Sequence, residues 1–442
     1  MLIIHNPKLL NFIRSDYKAE DIRHLIEFLR AQQTFDFPIL ESGLFPAALL
    51  SSETEYIGYG NVWVRDNILI AYSHYVCNQI DVALKTVNSL MAYFKQYTGR
   101  FARIIEAKAD PNNVMDRPHI RFDGKTLGEL EQTWSHAQND ALGYFLWFYC
   151  KLTAEGLIKP QPEDLKMLAI FSGYFEAIRY WEDEDSGHWE ETRKIEASSI
   201  GVVVAGLKRL KQILTDPSLA SDCQYKDRWG ENRGVTPQFI DELMAQGMAS
   251  LNHILPAECI QPAPKNRRYD AALLFLIYPL QSVEEAMADQ ILSDVITHLQ
   301  GDYGVKRYLG DSFWAADYTK KLAPDARTVD CSEDISARNA LLQVGQEAQW
   351  CLFDPIISVI YGLKFQKTRH QDFLDQQILY LNRSLGQLTG EDCPFGEFKH
   401  PELYYIQDGR YTPNEATPLL WAQANLRVAL AMMEKSLVQA IQ

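Results

Sequence analysis

Apolar residues recur at spacings of three and four from one end of the chain to the other, and this regularity limits the fold more than any other feature. The pattern is clear over residues 22–29, 82–94, 142–152, 167–178, 200–214, 283–299, 356–363 and 419–433, and weaker over 67–77, 238–252, 336–344 and 371–385. Such a stripe is one face of an α-helix, whereas a half-buried strand alternates at every second residue. Alternating runs are scarce. The spacing predicts about twelve helices with connections of uneven length. Residues 255–268, with three prolines, interrupt it most strongly, yet helical spacing resumes beyond them and no linker rich in Pro, Gly or Ser divides the chain. The expectation is an all-α fold, a single domain over residues 1–442.

Charge narrows the partners. Lys and Arg number 43 against 58 Asp and Glu, a net −15. Such an acidic chain is a poor match for nucleic acid or an anionic membrane surface. No run approaches the roughly twenty apolar residues that span a bilayer, and the N-terminus lacks the pattern of a secretory signal. Seven cysteines, widely spaced and without a C-x-x-C pair, read as buried thiols in a reducing compartment, so the expected location is the cytoplasm.

A second regularity is the position of the polar–aromatic clusters: Trp63-Val64-Arg65-Asp66, Trp134 through Asp140, Trp189-Glu190-Glu191, Glu347-Ala348-Gln349-Trp350 and Pro401-Glu402-Leu403-Tyr404-Tyr405. Most precede an apolar helix, whose N-terminus offers free N–H donors and positive potential. If alternate helices form an inner ring, these clusters open onto one face and build one pocket from distant residues. There is no H-E-x-x-H, no phosphate-binding G-x-x-x-x-G-K-[ST], no G-x-G-x-x-G opening a helix and no G-x-S-x-G elbow. What remains is carboxylates beside large aromatics. Six of the nine tryptophans (Trp63, Trp134, Trp189, Trp314, Trp350, Trp421) lie in or near the clusters. Sugar rings stack on such faces, and sugar hydroxyls pair with Asp, Glu, Arg, Asn and Gln.

Glycosidic cleavage needs one carboxylic acid to protonate the leaving oxygen and a second carboxylate to activate water or attack the anomeric carbon. Glu190, beside Trp189, suits the first role, because an aromatic wall desolvates a carboxyl group and raises its pKa. Glu402, before Tyr404 and Tyr405, suits the second. Among the other candidates, His136 and His188 read as structural, residues 182–185 as a solvated acidic loop, and Asp140 as a helix cap. Trp147 and Trp181 read as core. Asp123 is either a pocket rim or a turn residue, and Glu347 and Trp350 either line the pocket or buttress it.

The clusters at 63–67, 134–140 and 189–191 resemble, in that order, the signatures of glucoamylases, family 15 of the glycoside hydrolases. The segments 347–353 and 401–405, with Leu420-Trp421-Ala422-Gln423, resemble still more the glucoamylase-like domains of phosphorylase kinase alpha and beta subunits. The resemblance covers about residues 55–435. It implies an (α/α)6 toroid, the six-hairpin glycosidase barrel, and inverting exo-hydrolysis of α-linked gluco-oligosaccharides with Glu190 as general acid and Glu402 as general base. It also implies substrate contacts from Trp63, Arg65, Asp66, Trp134, Glu191, Arg307, Trp350 and Tyr404, with no metal and no organic cofactor. Leu403 stands where many glucoamylases have Gln. The reading expects no appended starch-binding module and hence a short, soluble α-glucan or maltodextrin partner. The kinase-like segments imply an alternative, a glucan-binding regulatory module that does not cut.

Overall fold

The computed structural model of the protein describes residues 2–50 and 54–440. In chain order its main helices are α1 (Ala19–Ala31), α2 (Val64–Val76), α3 (Ile80–Gln96), α4 (Thr98–Ile105), α5 (Asn139–Ala154), α6 (Pro162–Ile178) and α7 (Ala197–Ile213). They continue as α8 (Pro237–Ile254), α9 (Leu274–Ile277), α10 (Glu285–His298), α11 (Phe353–Thr368), α12 (Gln371–Gly386) and α13 (Leu420–Ala440). Short antiparallel sheets sit in the connections: β1 (Val62–Trp63), β2 (Arg121–Asp123) and β3 (Gly128–Glu129); β4 (Gln224–Lys226) and β5 (Asn232–Gly234); β6 (Gln349–Trp350), β7 (Leu403–Gln407) and β8 (Arg410–Pro413).

The helices alternate between two layers. α2, α5, α7, α9, α11 and α13 pack each on the next, and α13 closes back onto α2. α1, α3, α6, α8, α10 and α12 pack against the outside of that ring. This is the (α/α)6 toroid. Burial follows the layers: α1 buries only Ala19 and the stripe Ile22, Leu25 and Leu29, while α5 is buried from Asn139 through Cys150. An amphipathic helix belongs outside and one apolar all round belongs inside. Inner neighbours α5 and α7 touch backbone to backbone. A Cβ on Gly143 would lie 2.9 Å from the amide nitrogen of Val203, and one on Gly206 would lie 2.9 Å from the carbonyl oxygen of Gly143.

Three local differences from the sequence expectation have clear causes. α4 lies outside the alternation, packed on α6, on a stretch the apolar spacing did not mark. The fourth inner member is reduced to a 3-10 turn, Ala271–Leu273, and the four residues of α9, because Pro279 cannot continue a helix. The helix expected over 336–344 shrinks to Ser336–Asn339, since Leu341 and Leu342 are only partly covered and Val344 is fully exposed. Without a surface to bury against, so short a helix has nothing to hold it. Among the described residues no helix is long and apolar enough to cross a membrane, and all seven cysteines are free thiols.

Candidate active site

The inner ring brings the distant clusters to one end of the barrel. There a cavity of about 780 Å³, open to solvent at its mouth, is lined by Trp63, Arg65 and Asp66 from the start of α2, by Trp134 ahead of α5, and by Trp189 and Glu190 ahead of α7. Arg307, Trp350, Glu402 and Trp421 complete the wall. The small sheets fix the approach of these residues: Trp63 pairs with Arg121 across β1 and β2, and Trp350 pairs with Leu403 across β6 and β7.

Glu190 ends the 3-10 turn Gly187–Trp189 in the left-handed region, φ 57° and ψ 41°. A non-glycine residue there carries about 1–3 kcal/mol of strain, of a kind that persists where the surroundings over-determine it. Trp134 Nε1 donates to Glu190 Oε2 at 3.0 Å, and Arg65 Nη2 lies 3.5 Å from Oε1. Burial pushes the Glu190 carboxyl above its ordinary pKa against the opposing pull of Arg65. Arg65 is itself buried and anchored. Both terminal nitrogens donate to Gln138 Oε1 at 3.0 Å, and Nε lies 3.3 Å from Asp140.

Glu402 is held from two other directions. Tyr59 Oη donates to Oε1 at 2.9 Å, and Asn414 Nδ2 donates to Oε2. Burial outweighs these donors and lifts the carboxyl to about 7. Asp66 is likewise lifted to about 7 by burial, against Arg65, and among the described residues it has no hydrogen bond to another side chain. The cavity therefore holds two carboxyl groups lifted to about 7, Asp66 and Glu402, and a third, Glu190, whose pKa burial also raises. Two of its tryptophans, Trp350 and Trp421, have buried indole N–H groups without an acceptor among the described residues. Arg121 stacks over Trp134 with its guanidinium 4.0 Å from the ring centroid, which fixes that wall.

Two expected substrate contacts lie off the cavity wall. Glu191, despite its neighbour, is 1% exposed and faces the other way. It accepts from Arg307 at 2.8 Å, from Arg267 at 3.3 Å, and from Arg338 and Tyr308. It is a hub for arginines. The left-handed turn at Glu190 sends successive side chains in different directions. Tyr404 is also elsewhere: its hydroxyl donates to the carbonyl of Gln387 at 2.8 Å and its ring stacks on His5 at 4.2 Å.

The remaining assignments sort cleanly. Trp350 lines the cavity, whereas Glu347 buttresses, accepting from the amide of Gly310 at 3.0 Å and pairing with Lys306 at 3.0 Å. His188 touches the cavity but is held between Tyr144 and Ser198, and His136 stacks on His119. Asp123 is a turn residue accepting from Lys125 N. Trp147 is core, and Trp181 is partly buried against it. Asp140 is the buried partner of Arg65 rather than a simple cap. Residues 182–185 are not a freely solvated loop, because Asp183 takes both ends of buried Arg117 at 2.7 Å and Asp185 accepts from Asn139 N. Tyr59, Asn414, Gln138, Asp330 and Arg338 were not anticipated. Tyr59, Asn414, Asp330 and Arg338 sit outside the contiguous clusters, whereas Gln138 lies inside the 134–140 segment but carried no assigned role.

Comparison with known proteins follows the same line. The sequence profile described as "Glycosyl hydrolases family 15" matches residues 32–332. A probable phosphorylase b kinase regulatory subunit alpha from Caenorhabditis elegans is 25% identical over 432 residues, covering 89% of this chain. The chain spans only 32% of that relative's length. A solved wild-type glycosidase superposes with a TM-score of 0.65 at 16% identity, over 95% of this chain and 99% of its own. A bacterial glucoamylase complexed with acarbose superposes with a TM-score of 0.54 at 13% identity, over 89% of this chain and 53% of its own. At these identities the structural likeness speaks for the fold.

Proposed function

The chain belongs to the glycosyl hydrolases family 15, and from that premise we propose that it is an inverting, exo-acting α-glucosidase of the glucoamylase type, taking α-linked gluco-oligosaccharides. Residues 1–442 act as one catalytic unit, and the free cysteine thiols support a reducing, cytoplasmic location. The observation that carries the reading is that Glu190 and Glu402, which come from connections 212 residues apart in sequence, line one sugar-sized cavity with separate tethers. Glu190, whose pKa burial raises, gives its proton to the glycosidic oxygen as the bond to the anomeric carbon breaks. Glu402, ionised, takes a proton from the water that attacks that carbon from the other face, so the product is the opposite anomer. Arg65 stabilises the Glu190 carboxylate left behind. The unpartnered indole N–H groups of Trp350 and Trp421 and the carboxyl of Asp66 suit sugar hydroxyls as acceptor and donor partners.

The test is glucose release from maltose and maltotriose, with proton NMR to identify the first anomer. Release of β-glucose, abolished in Glu190→Gln with the fold retained, supports the reading; initial α-glucose, or undiminished turnover in the variant, overturns it. A second reading is a glucan-binding regulatory module, favoured by the phosphorylase kinase regulatory subunit among the relatives. Saturable maltodextrin binding with no glucose release is the result that selects it.

A further inference from the structure

At the far end of the inner ring, Arg427 on α13 and Arg30 at the end of α1 share the walls of two adjoining cavities, of about 1180 and 750 Å³. Arg427 is only 7% exposed. Its polar contacts include Gln79 Oε1, taken by Nη2 at 2.5 Å, His74 Nδ1, 3.2 Å from Nη1, and the Cys77 thiol. Two carboxylates line these cavities, Asp36 and Glu434, but among the described residues neither lies within ion-pair distance of either arginine. Glu434 pairs instead with Arg23 at 2.7 Å. Arg30 forms no ion pair among the described residues, and burial together with the charge of Arg30 holds the Arg427 pKa down. In a chain of net charge −15, two mutually repelling guanidinium groups have been left without a counter-anion, one of them desolvated. A desolvated, unpaired charge is costly, and it is kept where something else supplies the opposite charge.

We propose that this cleft binds a small phosphate-bearing molecule, its phosphate between Arg427 and Arg30 and its organic part on Phe35, Phe37 and Pro38. Two guanidinium forks match a phosphate carrying about −1.5 to −2 at neutral pH, and they bind its oxygens in pairs. The aromatic flank is in place: Phe37 lies 5.7 Å from the Arg427 guanidinium, and its ring stands edge-on to His74. The cleft is separate from the carboxylate cavity. His74 is nine residues beyond Arg65 on α2, roughly 13 Å along the helix axis, and the cleft and the carboxylate cavity share no lining residue.

The experiment is calorimetric titration of the full-length chain with phenyl phosphate and, in parallel, with benzoate. Saturable phenyl phosphate binding that weakens about tenfold or more in Arg427→Met, weakens in the exposed-site variant Arg30→Ala, and persists in Glu190→Gln supports the site. Absence of saturable binding, affinity unchanged in Arg30→Ala, or benzoate bound as tightly as phenyl phosphate overturns it. Arg30→Ala keeps the test decisive should Arg427→Met fail to fold.

Discussion

The hydroxyl of Tyr59, in the connection that enters the first inner helix, donates at 2.9 Å to Glu402 Oε1, immediately ahead of β7. These residues are 343 positions apart, and the bond stabilises the ionised form of a carboxyl that burial lifts to about 7. As the base, Glu402 must be ionised. The acidic limb of kcat/KM, which reports the free enzyme, is therefore expected near pH 7, with activity lost as pH falls through it. In Tyr59→Phe the ionised form loses a donor, so the limb moves to higher pH, by about half a unit to one unit. A pH–rate profile of both proteins on maltose checks this.

The same burial sets a conflict between stability and activity at Glu402. A carboxyl whose folded pKa is raised contributes stability that is complete below its unfolded pKa and disappears as pH rises through about 7. Glu402→Gln removes that penalty. Gln can still accept from Tyr59, and its amide finds an acceptor in Asn414 Oδ1, which is buried and unpaired, once the Asn414 amide turns over. The variant is expected to lose hydrolysis yet gain on the order of 1–3 kcal/mol at pH 8. Denaturant titrations at pH 5 and pH 8 should show the gain only at the higher pH.

Glu191 works in the opposite sense. Burial alone would raise its pKa, but Arg307, Arg338 and Arg267 overcome burial and hold the carboxyl well below the usual range. Its stabilisation is therefore present above the unfolded value and is lost as pH falls through the depressed folded value. Glu191→Gln leaves buried Arg307 and the partly buried Arg267 and Arg338 without their shared anion and should cost about 3–5 kcal/mol at neutral pH. Below pH 5 the wild type should lose stability more steeply than the variant, as measured by urea midpoints across pH.

Much of this was legible in the sequence, for reasons visible at particular residues. The toroid was implied by the family resemblance and matched a count of about twelve helices, while the division into inner and outer layers shows only in the burial of helices such as α5 and α1. Trp63, Arg65, Asp66, Trp134, Glu190 and Glu402 could be read because each lies in a compact cluster near the start of an inner helix or strand. Tyr59, Asn414 and Arg338 could not: Tyr59 and Arg338 act on partners 343 and 147 positions away, and Asn414 follows the β7–β8 hairpin, where no periodicity reveals its direction. Glu191 and Tyr404 show the converse. Both were implied as substrate contacts by the resemblance, and a left-handed turn at Glu190 in one case and a hydrogen bond to the Gln387 carbonyl in the other hold them off the cavity.

Arg338 links that hub to the roof of the cavity. It reaches Glu191 and donates through Nε to Ser312 Oγ at 3.1 Å, and both it and the residues Thr328, Val329 and Asp330 line the cavity. A second polar anchor is Arg327, bonded to Tyr56 at 2.7 Å and to Glu415. Helix Ser336–Asn339 is too short to hold itself, so removing the Arg338 tether should loosen residues 328–344 without disturbing Glu190 or Glu402. Arg338→Ala is accordingly expected to raise KM about tenfold while kcat falls by less, and to increase amide hydrogen exchange across that segment. A fall in kcat with KM unchanged would place Arg338 in the chemistry rather than in the wall that holds the sugar.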